Sequence, residues 1–328
     1  MENLGRVINN TVVAHKVFSN AIDTYDQAIS AIGSMNNSIA FTLVGDSRVG
    51  KTTLLTYLKS KHSPKRNEEG VIHPVAYCCV PPQPSLRGLA ISLLKGLNDP
   101  LLESQKTSGE SGERALKARA LKLIKECSVK AIILDESQHL TRAPESKTTY
   151  AATEWIKTLL DETNLVLIMA GLNSTTNLFD QNEQLMGRCM STVRLSRFDW
   201  MDSESRSEFL GTLYAFQQKM RDFDLPELTE HDMSFRFYLA TGGLLGYLSK
   251  LLTQAVWDAI TEKRTVMKME HFAVAYEKTM RVSDSNNAIN PFIGSQLQAT
   301  AERVAMAKGV GVHIPAPRQS TRRKITRS

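Results

Sequence analysis

The segment from Gly45 to Thr52 constrains the fold of this chain more than any other. It reads G-D-S-R-V-G-K-T, follows an apolar run at residues 39–44, and leads into Thr53 to Leu58, which has the composition of a helix. Strand, loop and helix in this order fit the phosphate-binding pattern G-x-x-x-x-G-K-[ST]. Glycine lets the backbone wrap closely around an anion, and the helix N-terminus points amide donors at it. The segment predicts a nucleotide site in an α/β protein.

Two side chains of the loop have specific roles in this prediction. Lys51 is placed to reach the β- and γ-phosphates of ATP, and Thr52 offers its hydroxyl to Mg²⁺. ATP and Mg²⁺ are therefore the expected cofactors. The residues expected to bind them are Gly45, Asp46, Ser47, Arg48, Val49, Gly50, Lys51, Thr52 and Thr53.

An acidic pair follows a second apolar run. Residues 129–136 read V-K-A-I-I-L-D-E, as expected for a buried parallel strand that delivers carboxylates to the edge of an α/β sheet. Asp135 is expected to share the Mg²⁺ ion with Thr52, and Glu136 to accept a proton from the attacking water. The alternative is a strand that ends in two solvated acids. Together with the phosphate-binding loop, the pair predicts an enzyme that hydrolyses ATP.

Apolar strands alternate with helical patterns up to about residue 200, and the pattern is then helical to about residue 282. This order predicts a doubly wound parallel sheet with a helical lid. Besides the two strands above, we expect strands at 71–80, 165–170 and 193–198, and a polar loop at 98–113. The predicted divisions are an N-terminal helical segment (1–38), an α/β nucleotide-binding core (39–200), a small helical lid (201–282) and a basic, mostly irregular tail (283–328).

Composition restricts the classes of function. No apolar run approaches the ~18 residues that a membrane span needs, and the N-terminus lacks the layout of a signal peptide. The four cysteines show no C-x-x-C spacing, so we expect a cytoplasmic protein with reduced thiols. The net charge is +6, and residues 318–328 hold five basic residues and no acid. Such a tail is typical of contact with a polyanion or an acidic partner.

The chain resembles the AAA+ ATPases of DNA transposition, the TniB/TnsC type, over about residues 12–280. Four stretches match: Val44 to Thr53, Tyr77 to Pro82 with the helix that follows, Leu134 to Leu140, and Ala240 to Leu248. The first and third occur in many ATPases, whereas the second, which contains the prolines, and the fourth, the lid motif, are more discriminating.

The resemblance implies further site residues. Asn173 matches the polar sensor that orients the attacking water, and Arg188 matches an arginine presented to the γ-phosphate of a neighbouring subunit. Arg194 and Arg197 compete for the second role. Tyr247 stands in the lid motif where the family often has an arginine, and a phenol supplies no fixed positive charge. We therefore expect hydrolysis to be slow and dependent on partners.

The resemblance also implies a function. Such ATPases assemble with ATP on duplex DNA as a ring or filament, link a target-selection protein to the transposase, and disassemble on hydrolysis. Two alternatives stay open, a helicase-loader or origin-type AAA+ ATPase and a scaffold that binds ATP without hydrolysing it. Sequence-neutral DNA binding requires basic contacts to phosphate. The candidates for these contacts are Lys106, Arg114, Lys117, Arg119, Arg142 and Lys147.

Overall fold

The sheet and the helices around it were taken from a computed structural model. It describes residues 15–32, 34, 37–68, 70–102, 109–141, 147–180, 183–280, 290–294 and 297–311. The strands are β1 (Ile39–Gly45), β2 (Lys65–Asn67), β3 (Gly70–Ile72), β4 (Val75–Cys79), β5 (Ala131–Asp135), β6 (Val166–Gly171) and β7 (Cys189–Leu195). A central sheet has the order β4-β5-β6-β1-β7 with parallel pairing throughout, and β2 and β3 form a small antiparallel hairpin.

Helices cover both faces of the sheet and continue into the lid. The α-helices are α1 (Lys16–Ile32), α2 (Lys51–Ser60), α3 (Leu86–Gly96), α4 (Gly109–Glu126), α5 (Lys147–Glu162), α6 (Asn177–Asp180), α7 (Glu183–Met186), α8 (Ser203–Lys219), α9 (His231–Thr241), α10 (Leu245–Thr261), α11 (Met269–Thr279) and α12 (Ala301–Lys308). Short 3₁₀ turns lie at Ser137–Thr141 and Asn173–Thr176. In the described part of the chain, none of these helices has both the length and the apolar character to cross a membrane.

The parallel arrangement brings the predicted motifs to one edge of the sheet. β1, β5 and β6 all run in the same direction, and β6 lies between the other two. The loop after β1, the acids at the end of β5 and the turn after β6 therefore share the carboxyl edge, where ligands of open α/β sheets bind.

The core lies on the two faces of the sheet. One cluster packs α3, α4 and α5 against the sheet through residues such as Leu89, Leu116 and Trp155. The other joins α1, β1, α2 and the lid helices, with Phe41 and Leu248 both buried in it. On this second face the cluster runs across the predicted boundary at residues 200 and 201, so the sheet and the lid pack together.

Three element predictions differ from the structure. The strand expected at 71–80 is divided between β3 and β4 at His73 and Pro74, and a proline has no backbone N–H to donate to a ladder. The loop expected at 98–113 gives way to α4 from Gly109 onward, because Gly112 is buried and packing overrides its weak helix propensity.

The last strand, β7, begins earlier than the predicted 193–198. It lies at the edge of the sheet and exposes every second residue along most of its length. Its first half therefore lacks the continuous apolar run that marks the buried strands. The N-terminal helix is observed as α1, and the part of the predicted segment at residues 1–14 lies outside the described residues.

Candidate nucleotide-binding site

The loop between β1 and α2 turns sharply at Gly50. This residue has a φ of 101° and occupies the N-cap position of α2. That φ lies in the region that favours glycine. A Cβ at Gly50 would also lie 3.0 Å from Cδ2 of Leu245, the first residue of lid helix α10. The turn is therefore tight, and it brings the amino end of α2 against the lid.

Lys51 points back into this loop. Its ammonium donates hydrogen bonds to the carbonyl oxygens of Gly45 (2.8 Å) and Asp46 (2.6 Å). The residue is only 8% exposed. Burial lowers the pKa of the Lys51 ammonium, and the nearby charges of Asp135 and Glu136 act in the opposite direction. The cation is thus already desolvated and held where the pattern places a phosphate.

Asp135, the last residue of β5, accepts several hydrogen bonds at the carboxyl edge of the sheet. One of its carboxylate oxygens, Oδ2, accepts hydrogen bonds from the hydroxyls of Tyr77 (2.6 Å) and Thr52 (3.2 Å). The other, Oδ1, accepts from the backbone N–H of Glu136 at 2.8 Å. Thr52 and Asp135, the predicted Mg²⁺ pair, are therefore adjacent. Hydroxyl and carboxylate oxygens are the donors that Mg²⁺ prefers, so the residues present fit the ion.

Tyr77 was not predicted as a site residue. The β4–β5 register pairs Tyr77 with Ile133, so Asp135, two residues further along β5, shares its face. Burial raises the pKa of the Tyr77 phenol, and the hydrogen bond to Asp135 adds to this effect. The phenol therefore stays protonated and acts as a donor that orients the carboxylate. The pairing register, which the sequence alone does not give, is the information that would have identified it.

Glu136 and Asn173 follow β5 and β6 at the carboxyl edge of the sheet. Glu136 has a φ of 58°, and its carboxylate accepts a hydrogen bond from the side-chain amide of Gln138. Asn173 is exposed and begins the 3₁₀ turn after β6, the strand that lies between β1 and β5. The base and sensor roles stay predictions, with both residues at the required edge.

Arg188 lies at the opposite end of the strands from the phosphate-binding loop. It directly precedes β7, and its carbonyl oxygen accepts a hydrogen bond from the N–H of Ala40, near the start of β1 (2.8 Å). Its guanidinium contacts the carboxylate of Asp161. Since the phosphate-binding loop follows the far end of β1, Arg188 is distant from the loop of its own chain. Any contact with nucleotide would have to be made in a neighbouring subunit.

The two competing arginines occupy different surroundings. Arg194 is exposed on the edge strand β7. Arg197 is bound within its own chain, because one guanidinium nitrogen donates to the carbonyl oxygens of Lys308 (2.8 Å) and Val310 (3.3 Å). A second nitrogen lies 3.8 Å from the carboxylate of Asp46. These contacts hold the Arg197 guanidinium within its own chain, as the contact with Asp161 holds that of Arg188. Arg188, Arg194 and Arg197 all stay candidates for action in a neighbour.

The lid touches the phosphate-binding loop through Arg48. Gly246 donates its backbone N–H to the carbonyl oxygen of Arg48 at 2.8 Å. The Arg48 guanidinium lies over the ring of Tyr247, 4.8 Å from its centroid. Tyr247 therefore reaches the site by a cation–π contact with the loop rather than by a charge of its own.

The predicted DNA contacts are only partly described. Lys106 and Arg142 lie outside the described residues. Arg114 is exposed on α4, where Lys117 is half-buried, and Lys147 is exposed at the start of α5.

Arg119 has a partner within its own chain. Its guanidinium forms two 2.5 Å hydrogen bonds to both carboxylate oxygens of Asp99, whose side chain is fully buried. These bonds are the main reason that the pKa of Asp99 is lowered. Arg119 is therefore an internal ion-pair residue.

We expect Arg119→Ala to lower the free energy of unfolding by about 3 kcal/mol, because it leaves a buried carboxylate unpaired. Urea unfolding measures the loss, and Lys122→Ala, which removes an exposed ion pair with Glu126 from the same helix, should cost under about 0.5 kcal/mol. The pKa of Asp99 is lowered in the folded state, so the stabilisation is present at neutral pH and disappears as pH falls through that value. Equal losses for the two variants at neutral pH would contradict this assignment.

Comparisons with known proteins agree with this geometry. The family model for the bacterial TniB protein matches residues 7–199. No curated protein sequence matches the chain. The Aeropyrum pernix ORC2 protein, in its ADPNP–ADP complexes, is similar in fold, with a TM-score of 0.60 at 13% identity over 85% of this chain and 72% of its own.

Two other solved structures show the same likeness. The Aeropyrum pernix ORC1 protein in complex with DNA has a TM-score of 0.57 at 13% identity, over 82% of this chain and 66% of that one. Cdc6p from Pyrobaculum aerophilum has a TM-score of 0.54 at 14% identity, over 83% and 73%. Similarity at such low sequence identity shows a shared fold and does not show a shared function. Because the family model spans more than half of the sequence, the chain belongs to the TniB family, and its fold is that of a P-loop AAA+ ATPase.

Proposed function

We propose that this protein is an ATP-dependent, DNA-binding regulator of DNA transposition. It oligomerises on target duplex DNA with ATP, links a target-selection protein to the transposase, and disassembles when ATP is hydrolysed. Membership of the TniB family is the observation that carries the proposal. The grouping of Lys51, Thr52 and Asp135 at one edge of the sheet supports its nucleotide chemistry.

The chain's own residues divide the hydrolytic work. The Lys51 ammonium neutralises charge on the β- and γ-phosphates. Thr52 and Asp135 would hold Mg²⁺, which would supply further positive charge beside the phosphates. Glu136 takes a proton from the water that attacks the γ-phosphorus, and Asn173 orients that water. Arg188 acts from the neighbouring subunit on the charge that develops in the transition state.

A site shared between subunits makes ATP an assembly signal. ATP binding adds a contact across the interface, and loss of the γ-phosphate removes it. Since Tyr247 supplies no cation from the lid, turnover is slow and rises when DNA or a protein partner orders the interface. The division into a core at 39–200 and a lid at 201–282 is part of this proposal.

DNA binding in this proposal depends on phosphate contacts. The candidates on described residues are Arg114, Lys117 and Lys147, with Lys106 and Arg142 as further candidates. Each subunit contributes a few contacts, so strong binding requires assembly. Residues 318–328 carry five further basic residues, available to DNA or to an acidic transposition partner.

The experiment that tests the function measures assembly and transposition together. Electron microscopy and sedimentation of the protein with duplex DNA should show oligomers on DNA with a slowly hydrolysed ATP analogue, and few with ADP. Affinity should fall steeply with salt and vary little with DNA sequence. Omission of the protein from a transposition assay with its proposed transposase should abolish transposition. Normal transposition without it would reject the proposal.

The two alternatives give different results. The origin-type function predicts loading of a helicase and no requirement in transposition. A scaffold that does not hydrolyse ATP predicts no turnover with or without DNA.

We expect Arg188→Ala to bind ATP nearly normally and to lose hydrolysis by about 10³-fold, because an arginine acting in a neighbour is needed only in the assembled site. Mixing it with Lys51→Ala should restore part of the activity, since one subunit supplies the intact loop and the other the intact arginine. Phosphate release across a series of mixing ratios measures the recovery. Failure to recover, with both variants folded and co-assembled, would assign the role to Arg194 or Arg197.

A further inference from the structure

The side chain of Gln138 joins the proposed base to the proposed sensor loop. Gln138 lies in the 3₁₀ turn after β5 and is 4% exposed. Its Nε2 donates a hydrogen bond to Oε2 of Glu136. Its Oε1 accepts a hydrogen bond from the backbone N–H of Leu172 at 3.1 Å, and Leu172 immediately precedes Asn173. One buried amide therefore contacts both sides of the site.

The end of β6 leaves room for this amide. A Cβ on Gly171 would lie 2.2 Å from Oε1 of Gln138 and 2.5 Å from Oγ1 of Thr175. Real Cβ atoms do not approach other atoms so closely, so residue 171 must be glycine for Gln138 to reach Leu172. The Thr175 hydroxyl is buried and has no hydrogen-bond partner among the described residues. Gln138 thus occupies a narrow position next to the sensor turn.

The backbone of Glu136 is constrained as well. Its φ of 58° is uncommon for a residue with a side chain, and such conformations persist where the surroundings hold them. Its N–H donates to Oδ1 of Asp135 at 2.8 Å, and its carbonyl oxygen accepts from the N–H of His139 at 3.0 Å. These bonds fix the main chain, but the side chain that carries the carboxylate has three rotatable bonds. Gln138 is the described side chain that restrains them.

We infer that Gln138 is a positioning residue for Glu136 in ATP hydrolysis. It holds Oε2 of the carboxylate and leaves Oε1 to accept the proton of the attacking water. Through Leu172 it also fixes the distance between this carboxylate and the loop that presents Asn173. Gln138 itself exchanges no proton, because a neutral amide is neither an acid nor a base near neutral pH. The inference rests on the proposed hydrolytic function.

The test compares Gln138→Ala with the control Ser137→Ala. Ser137 is buried in the same turn, and its hydroxyl donates to the carbonyl oxygen of Leu134 at 2.8 Å, away from Glu136. Gln138→Ala should lower kcat about 10- to 100-fold, as loss of an orienting contact does, with nucleotide affinity within about twofold of wild type. Ser137→Ala should change neither. The combination Glu136→Gln with Gln138→Ala should be no slower than Glu136→Gln alone, because the two residues act as a unit.

One further readout separates positioning from a structural role, and a second checks the contact with the loop before Asn173. Gln138→Glu should move the acidic limb of the pH–rate profile to higher pH, because two adjacent carboxylates favour retention of a shared proton. In the absence of nucleotide, amide hydrogen exchange of residues 171–176 should accelerate in Gln138→Ala and stay unchanged in Ser137→Ala. Wild-type rates and an unshifted profile, in a protein whose turnover still requires Glu136, would overturn this inference alone. Turnover that does not require Glu136 would overturn the assignment of the base and this inference with it.

Discussion

Lys51→Ala is expected to weaken ATP binding by about 100-fold or more. The variant removes a charge-assisted contact to each of two phosphate groups, and each such contact contributes about 1.5–3 kcal/mol. The wild-type cation is also prepared for binding, because it is buried and hydrogen-bonded to the carbonyl oxygens of Gly45 and Asp46 before any phosphate arrives. Titration with a fluorescent ATP analogue, at fixed Mg²⁺ concentration, measures the change.

Lys61→Ala is the matched control for this prediction. Lys61 follows the last turn of the same helix and pairs with Asp26, so its removal changes the net charge equally at the far end of α2. Its ATP affinity should equal that of wild type. Tight ATP binding by Lys51→Ala, with the fold intact by circular dichroism, would show that the loop from Gly45 to Thr52 is not the phosphate site.

The sequence was sufficient for the fold and for the family, and both predictions are confirmed. The reason is physical. A phosphate-binding loop must follow a strand and precede a helix, and acids at the end of a buried parallel strand must reach the same edge of the sheet. The contact between Thr52 and Asp135 is the direct consequence.

The contacts that the sequence did not reveal depend on register and on irregular turns. Tyr77 reaches Asp135 only because β4 pairs with β5 in one register. Gln138 reaches Leu172 through a 3₁₀ turn, which no periodic pattern announces. Arg119 had the spacing of a solvated helix face, and the buried carboxylate of Asp99 gave it another partner.

The arginines illustrate the same limit. Arg188, Arg194 and Arg197 lie within a short stretch of sequence, and their spacing does not separate them. In the fold Arg188 and Arg197 lie at opposite ends of the strands, because β7 runs from Cys189 to Leu195 between them. Arg194 lies within β7. Only the contacts of Arg197 with Lys308 and Val310 show that it is engaged within its own subunit. The role of Arg188 stays a prediction until subunits are mixed.

Glu136→Gln is expected to leave ATP binding intact and to lower the rate of hydrolysis by about 10²- to 10⁴-fold, the usual contribution of a general base. An amide has almost the shape of the carboxylate but cannot take the proton of the attacking water. The new side chain still has an oxygen that can accept the hydrogen bond from Gln138, so the local structure should persist. Single-turnover phosphate release measures the rate, and equilibrium titration measures the binding.

This variant also tests the link between hydrolysis and assembly. If cleavage of ATP ends the contact across the interface, Glu136→Gln should form oligomers on DNA with ATP that last as long as wild-type oligomers do with a slowly hydrolysed analogue. Glu126→Gln makes the same chemical change at an exposed position on α4 and should behave as wild type. Unchanged hydrolysis in Glu136→Gln would place the base on another residue. Slow hydrolysis with wild-type disassembly would instead show that hydrolysis does not trigger disassembly. The γ-phosphate would then still be present when the subunits separate.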